Sequence, residues 1–334
     1  MKKALIIGVY GQDGYFLSKL LLSKNYKVFG LVRKIKKCND LSKKIKIFNC
    51  RYKNPNTVNI FFKKNKFDEI YNLSAQSYTF KSWNWIIDTF DTNYRYYFYL
   101  LEAIKKFNSK AKILHCLSSE MFGNSSELMQ NEKTIHSPRS PYGFFKSQSY
   151  QLSNFYRNFS KLFISNVILF NHESYRRNIN YIFQKLSYAV ACLSCGIINS
   201  KKKNELGERI VKNGKIKLGN LNIERDWGSA EEYVYAMWLI LQQKEPDDYV
   251  VGTGISKSLR EICDIAFSIK GLDWKKHVIS SSKLFRIYDI KKNRANINKI
   301  KKKLGWIPKI KVKDLLSSMI NNQIKSLKKS KDYN

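Results

Sequence analysis

Ala4-Leu5-Ile6-Ile7 runs directly into Gly8-Val9-Tyr10-Gly11-Gln12-Asp13-Gly14, and this junction decides the fold. A short apolar run bounded by glycine reads as a buried strand, and the amphipathic stretch after it, 13–24, reads as a helix. Glycines at a strand-to-helix turn let the backbone approach a pyrophosphate, whose charge the helix N-terminus stabilises. Gly8, Gly11, Gln12, Asp13 and Gly14 are therefore candidate dinucleotide-binding residues. Working outward, apolar runs at 27–32, 45–48, 69–73, 113–117 and 166–170 read as further strands, with helical patterns at 89–107 and 140–159. Strands alternating with helices imply an α/β fold, a Rossmann-like doubly wound parallel sheet. After residue 170 the alternation weakens, which predicts a smaller C-terminal substrate-binding lobe. The expected division is 1–170 for the dinucleotide-binding domain, with 226–252 returning to it, and 171–225 plus 253–334 for the lobe.

The 334 residues suffice for one large domain or two that share an interface, and 43% hydrophobic content supports a sizeable core. No apolar run is long enough to span a bilayer, and the run behind Met1-Lys2-Lys3 is too short for a signal-peptide core. No membrane partner is expected. Six cysteines are scattered. Cys192 and Cys195 form one CxxC, but no second pair or nearby histidine completes a metal site, so no metal is expected and a reduced, cytoplasmic setting fits. Lys+Arg 61 against Asp+Glu 26 leaves +35. The excess is mostly lysine, spread along the chain without a recognition-helix or RNA-binding signature. It reads as a solvated basic surface rather than a specific nucleic-acid site, and it suits a substrate carrying two phosphates.

The end of the second strand selects the cofactor. An acidic side chain there would bond the ribose hydroxyl of NAD; Arg33 and Lys34 instead suit the 2′-phosphate of NADP. The reacting groups come from Tyr142-Gly143-Phe144-Phe145-Lys146. Tyr and Lys four apart share a helix face, and an ammonium nearby favours the phenolate of a group that ordinarily titrates near ~10. Ser118-Ser119-Glu120 closes the preceding strand, at the edge where ligands bind in such sheets. Ser118, Tyr142 and Lys146 together form a Ser–Tyr–Lys arrangement for hydride-transfer chemistry.

At this point a resemblance becomes specific. Over nearly its whole length the chain resembles the GDP-mannose 4,6-dehydratase family, within the extended short-chain dehydrogenases, which favour the GxxGxxG spacing. The runs that carry it include Asn72-Leu73-Ser74-Ala75-Gln76-Ser77, Ser118-Ser119-Glu120, Pro138-Arg139-Ser140-Pro141-Tyr142, Phe170-Asn171-His172-Glu173-Ser174, Arg225-Asp226-Trp227-Gly228 and Leu304-Gly305-Trp306. The resemblance implies NADP-dependent dehydration of GDP-mannose to a 4-keto-6-deoxy sugar. Tyr142 would be the base for C4 oxidation, assisted by Lys146 and Ser118, and Glu120 the active-site glutamate. Leu73 and His172 would stand beside the cofactor, His172 more structural than catalytic. Asn171, Lys185, Arg225 and Arg286 would hold the substrate's nucleotide and phosphates, with Asp289 near its ribose. Ser119 stands where related dTDP-glucose dehydratases carry Asp. A homo-oligomer, dimer or tetramer, is expected.

The chain departs from the family pattern at Tyr10, Cys50, Tyr78, Tyr96 and Tyr97, Tyr175, Gln184 and Ile287. It also has a short segment after Arg33 and a long stretch near 200–217. Alternatives are a dehydratase, epimerase or reductase for another nucleotide sugar, or a divergent inactive nucleotide-binding protein.

Overall fold

A computed structural model describes residues 1–35, 41, 43–50, 54–286 and 288–329 of the chain. Ile287 and most of the short segment after Arg33 lie outside the described residues. In chain order the first elements are β1 (Lys3–Ile7), α1 (Gln12–Ser23), β2 (Lys27–Val32), β3 (Lys46–Asn49), α2 (Pro55–Lys64), β4 (Glu69–Asn72), α3 (Ile86–Phe90), α4 (Tyr96–Phe107), β5 (Lys112–Ser118), α5 (Pro141–Phe159) and β6 (Ile164–Leu169). Then follow β7 (Asn171–Glu173), α6 (Ile182–Ser194), β8 (Val211–Lys212), β9 (Lys215–Leu218), β10 (Glu224–Ser229), α7 (Ala230–Leu241), β11 (Tyr249–Val251), β12 (Ser256–Ser258), α8 (Leu259–Ser268), α9 (Trp274–His277), β13 (Val278–Ser280), α10 (Asn298–Leu304) and α11 (Val312–Lys329).

Among the described residues a seven-stranded sheet runs in the order β11-β6-β5-β4-β1-β2-β3, and every pairing in it is parallel. This is the doubly wound α/β sheet expected from the alternation. The chain winds outward through β2 and β3, then crosses back over β1 to β4 and winds the other way. The crossing opens a crevice between the C-terminal ends of β1 and β4.

Helices cover both faces. Phe16, Leu17 and Leu21 of α1 pack with Val234, Met237 and Ile240 of α7 on one side. Val58, Phe61 and Phe62 of α2 join Tyr97, Leu100 and Leu101 of α4 on the other. A separate core, with Phe183, Leu186 and Val190 of α6, Leu259 and Ile262 of α8 and Leu316 and Ile320 of α11, underlies two small sheets, β12-β10-β7 and β13-β9-β8. Within 226–252, Tyr249–Val251 pairs with β6, whereas Glu224–Ser229 pairs in a small sheet.

The helix expected over 89–107 is interrupted. Asp91–Arg95 forms a wide π-type turn between α3 and α4. The turn brings Asn93 round to bond the backbone N–H and C=O of Gln76, at 2.9 and 3.1 Å, and Arg95 pairs with Asp91. A tertiary partner seventeen residues away cannot be read from helical periodicity.

Candidate active site

The glycine turn sits at the sheet crossing. Gly8 has φ +90°, and a β-carbon there would lie 3.3 Å from the backbone of both Leu73 and Ser74, so only glycine suits this conformation and approach. At Gly14 a β-carbon would stand 2.6 Å from Val9 Cα and 2.7 Å from the Gly8 carbonyl. Its absence lets α1 begin tight against the turn. Gly11 caps α1 without a side chain, which leaves the cap position open for an anion at the helix start. His172 clamps this helix from the β7 side. Its Nδ1 donates to the Phe170 carbonyl at 2.8 Å, and its Nε2 lies 3.0 Å from Asp13. Burial opposes charge on both groups, but the pairing dominates: Asp13 is held below its ordinary value and His172 above its own. Gln12 bonds Asp13, the His172 carbonyl and Ser174. Gln12, Asp13 and His172 thus form one rigid joint under the turn.

The reacting groups sit at the next strand end. Ser140 Oγ accepts from Gly143 N at 3.1 Å and Pro141 occupies the first helical position, which starts α5 at this point. Gly143 then allows a very close approach, since a β-carbon there would meet the Glu120 carbonyl at 2.5 Å. Tyr142 and Lys146 are thereby pressed against the Ser118–Glu120 turn. Burial pushes the Tyr142 phenol above its ordinary value, and the hydrogen bond with Ser118 and the Arg177 guanidinium work in the opposite direction.

Lys146 differs from the expectation. Its ammonium donates to the Cys116 carbonyl at 2.7 Å, and burial, at 2% exposure, brings it down to about 8. It is anchored to the strand rather than engaged with the phenol. Glu120 faces Arg286, 3.4 Å away. Ser119 turns out of the cleft and accepts from Asn293 at 3.2 Å.

Every residue nominated from the sequence borders one cleft of about 670 Å³. They are the cofactor candidates Gly8, Gly11, Gln12, Asp13, Gly14, Arg33, Leu73 and His172, the reacting groups Ser118, Glu120, Tyr142 and Lys146, and the substrate candidates Asn171, Lys185, Arg225, Arg286 and Asp289. Arg225 donates to Asp289 at 2.7 Å, and Arg286 lies 3.8 Å from the same carboxylate. Among the wall residues with no role assigned from sequence are three polar ones: Arg177, paired with the buried Glu173 at 3.4 Å; Tyr181, bonded to Ser77 at 2.9 Å; and Glu205, paired with Lys185. The first two adjoin the Phe-Asn-His-Glu-Ser run and could have been nominated from it. Glu205, inside the lysine-rich stretch, carries no such signal.

The departures sort by position. Tyr10 and Tyr78 line the cleft. Tyr97 is buried, stacked on His115 at 3.7 Å and bonded to Ser153 at 2.8 Å, so it fills space between α4, β5 and α5. Cys50 is buried at the end of β3, its thiol pushed up to about 11 by burial. Tyr175 packs edge-on against Phe16, and its carbonyl accepts from Gln184. Cys192 is buried on α6 and Cys195 caps that helix. No cluster of His, Cys, Asp and Glu that could hold a metal occurs among the described residues, and no helix there is long and apolar enough to cross a membrane.

A doubly wound sheet with a glycine turn at its crossing and Ser, Tyr and Lys at the next strand end defines a short-chain dehydrogenase architecture. Solved structures share it. A UDP-glucose 4-epimerase of Thermotoga maritima superposes with TM-score 0.82 at 18% identity, covering 97% of this chain and 99% of that one. The protein RMD of Pseudomonas aeruginosa, complexed with NADPH, gives 0.77 at 16%, covering 97% and 100%. Residues 5–319 match the family of GDP-mannose 4,6 dehydratase, and the chain belongs to that family. Among its curated relatives, GDP-mannose 4,6 dehydratase 1 of Arabidopsis thaliana is 35% identical over 99% of this chain and 92% of its own length. The Homo sapiens GDP-mannose 4,6 dehydratase is 32% identical over 97% and 92%.

Proposed function

We propose that the chain is an NADP-dependent enzyme that dehydrates GDP-mannose to GDP-4-keto-6-deoxymannose. The observation that carries this is that one cleft is lined by the glycine turn, by Ser118, Glu120, Tyr142 and Lys146, and by the cations Lys185, Arg225 and Arg286. The residues present fit the cofactor. The turn has an uncapped helix start, a Gly8 with φ +90° and a Gly14 where a β-carbon would collide with backbone, and Arg33 and Lys34 stand at the end of β2. Bound NADP supplies the oxidant for C4 of the hexose and returns the same two electrons at C6.

The protein's groups do the rest. The phenolate form of Tyr142 accepts the C4 hydroxyl proton, and the hydrogen bond with Ser118 works in favour of that form. The new C4 ketone acidifies C5–H, Glu120 takes that proton, and water leaves from C6. Arg286 pairs with Glu120 at 3.4 Å and holds it at the cleft wall. Lys146 orients the ribose of the cofactor from its anchor on Cys116. Arg225 and Arg286 meet the two phosphates. Asp13 and His172 keep the glycine turn in place, a positioning role.

We further take 1–170 with 226–252 as the cofactor-binding part and the remainder as the substrate lobe. The chain works as a homo-oligomer; Phe144, Phe155 and Phe159, all exposed along α5, support a subunit contact there. The free thiols suit the cytoplasm. Incubation with a panel of nucleotide sugars and NADP, followed by mass spectrometry, should show loss of one water from GDP-mannose. Dehydration of another nucleotide sugar in its place would replace this reading.

A further inference from the structure

The stretch near 200–217 brings a carboxylate to the wall of the cleft. Glu205 reaches Lys185 with both oxygens, at 2.9 and 2.7 Å. Its side chain is 9% exposed and that of Lys185 is 2% exposed, yet both border the cleft. The segment that presents Glu205 is built rather than loose. Asn204 Oδ1 accepts from the N–H groups of Leu206 and Glu208, both at 3.0 Å, and Asn204 N donates to the Glu208 carbonyl at 2.7 Å. Ser200 ties the two ends together, donating N–H to Val211 O and accepting from Val211 N.

A fixed carboxylate is an unfavourable wall for a phosphate, and Arg225 and Arg286 already supply the cations that phosphates need. Glu205 calls for a neighbouring group rich in N–H donors, and Lys185, with three donors, for an acceptor beside them. Among nucleobases this pattern belongs to guanine, whose O6 acceptor adjoins the N1–H and N2–H donors. Adenine offers one amino donor beside a bare ring nitrogen, and uracil one N–H between two carbonyls. We propose that Glu205 is a specificity-determining residue that, together with Lys185, reads the Watson–Crick edge of the substrate's guanine. The second lone pairs of its oxygens accept from N1–H and N2–H while the ammonium donates to O6. This rests on the GDP-sugar reading above.

The test measures binding of GDP, IDP and UDP by calorimetry to the unmodified protein and to Glu205→Gln. IDP differs from GDP only in lacking the N2 amino group. Loss of a hydrogen bond to a charged group lowers affinity about tenfold to a hundredfold, so the unmodified protein should prefer GDP to IDP by about that factor. In Glu205→Gln the preference should shrink to within about threefold. Because the readout is a ratio, loss of some folded protein does not move it. An unchanged GDP-to-IDP ratio in a protein that still dehydrates GDP-mannose overturns this inference alone. So does uniformly tighter binding of all three diphosphates, which would make Glu205 an internal competitor of the ligand. Unmodified protein that binds GDP no better than UDP overturns the substrate reading together with it.

Discussion

Replacing Lys146 with Met should remove activity and also change how stability depends on pH. The ammonium is 2% exposed, bonds one carbonyl, and is brought by burial from its ordinary 10.5 to about 8. A depressed lysine contributes stability that is fully present above its unfolded value and is lost as pH falls through its folded value. At neutral pH the folded chain therefore holds a charge that the interior disfavours. Between about pH 8 and about pH 10.5 the unfolded chain keeps a proton that the folded chain has released, so folding becomes more favourable as pH rises. Linkage with these two values gives a gain of about 2 kcal/mol between about pH 7 and about pH 9.5. Urea unfolding of ligand-free unmodified protein and Lys146→Met at both pH values isolates the term, because all other titrations are common to the two proteins. The unmodified chain should gain about 2 kcal/mol relative to the variant. Equal pH dependence, or a relative loss, would refute the claim that burial controls this ammonium.

Gly143→Ala puts a β-carbon 2.5 Å from the Glu120 carbonyl; it should cost about 1–3 kcal/mol of stability and, by displacing Tyr142 by about 1 Å, about a hundredfold in kcat. An enzyme with unchanged turnover would show that this close approach does not set the geometry. Glu120→Gln should spare the first oxidation and slow elimination by about 10²–10⁴; single-turnover absorbance would show reduced cofactor without keto sugar, and near-normal dehydration would remove Glu120 as the base. Arg33→Asp should reverse or flatten a preference for NADP over NAD, measured by cofactor titration; equal binding of both by the unmodified protein would contradict the assignment.

Legibility followed the range of the interactions. The glycine turn, the strand runs and the spacing of Tyr142 to Lys146 are local patterns, and they sufficed for the parallel sheet and for the nominees around the cleft. Sequence alone also placed Ser118 and Glu120 at a strand end, since ligand crevices of doubly wound sheets lie there.

Three matters needed the tertiary structure. Lys146 turns to Cys116 and Ser119 to Asn293, because side-chain direction is settled by which carbonyl or amide lies within reach after packing. Asn93 opens a π turn in a run that reads as continuous helix, because its partner Gln76 is supplied by another segment. Glu205 enters the cleft from a lysine-rich stretch with no local signature; it meets Lys185 only because a tight turn and the α6 core bring together residues twenty apart in the chain. Periodicity reports which face of an element is apolar, and it is silent on pairs whose contact is created by the fold itself.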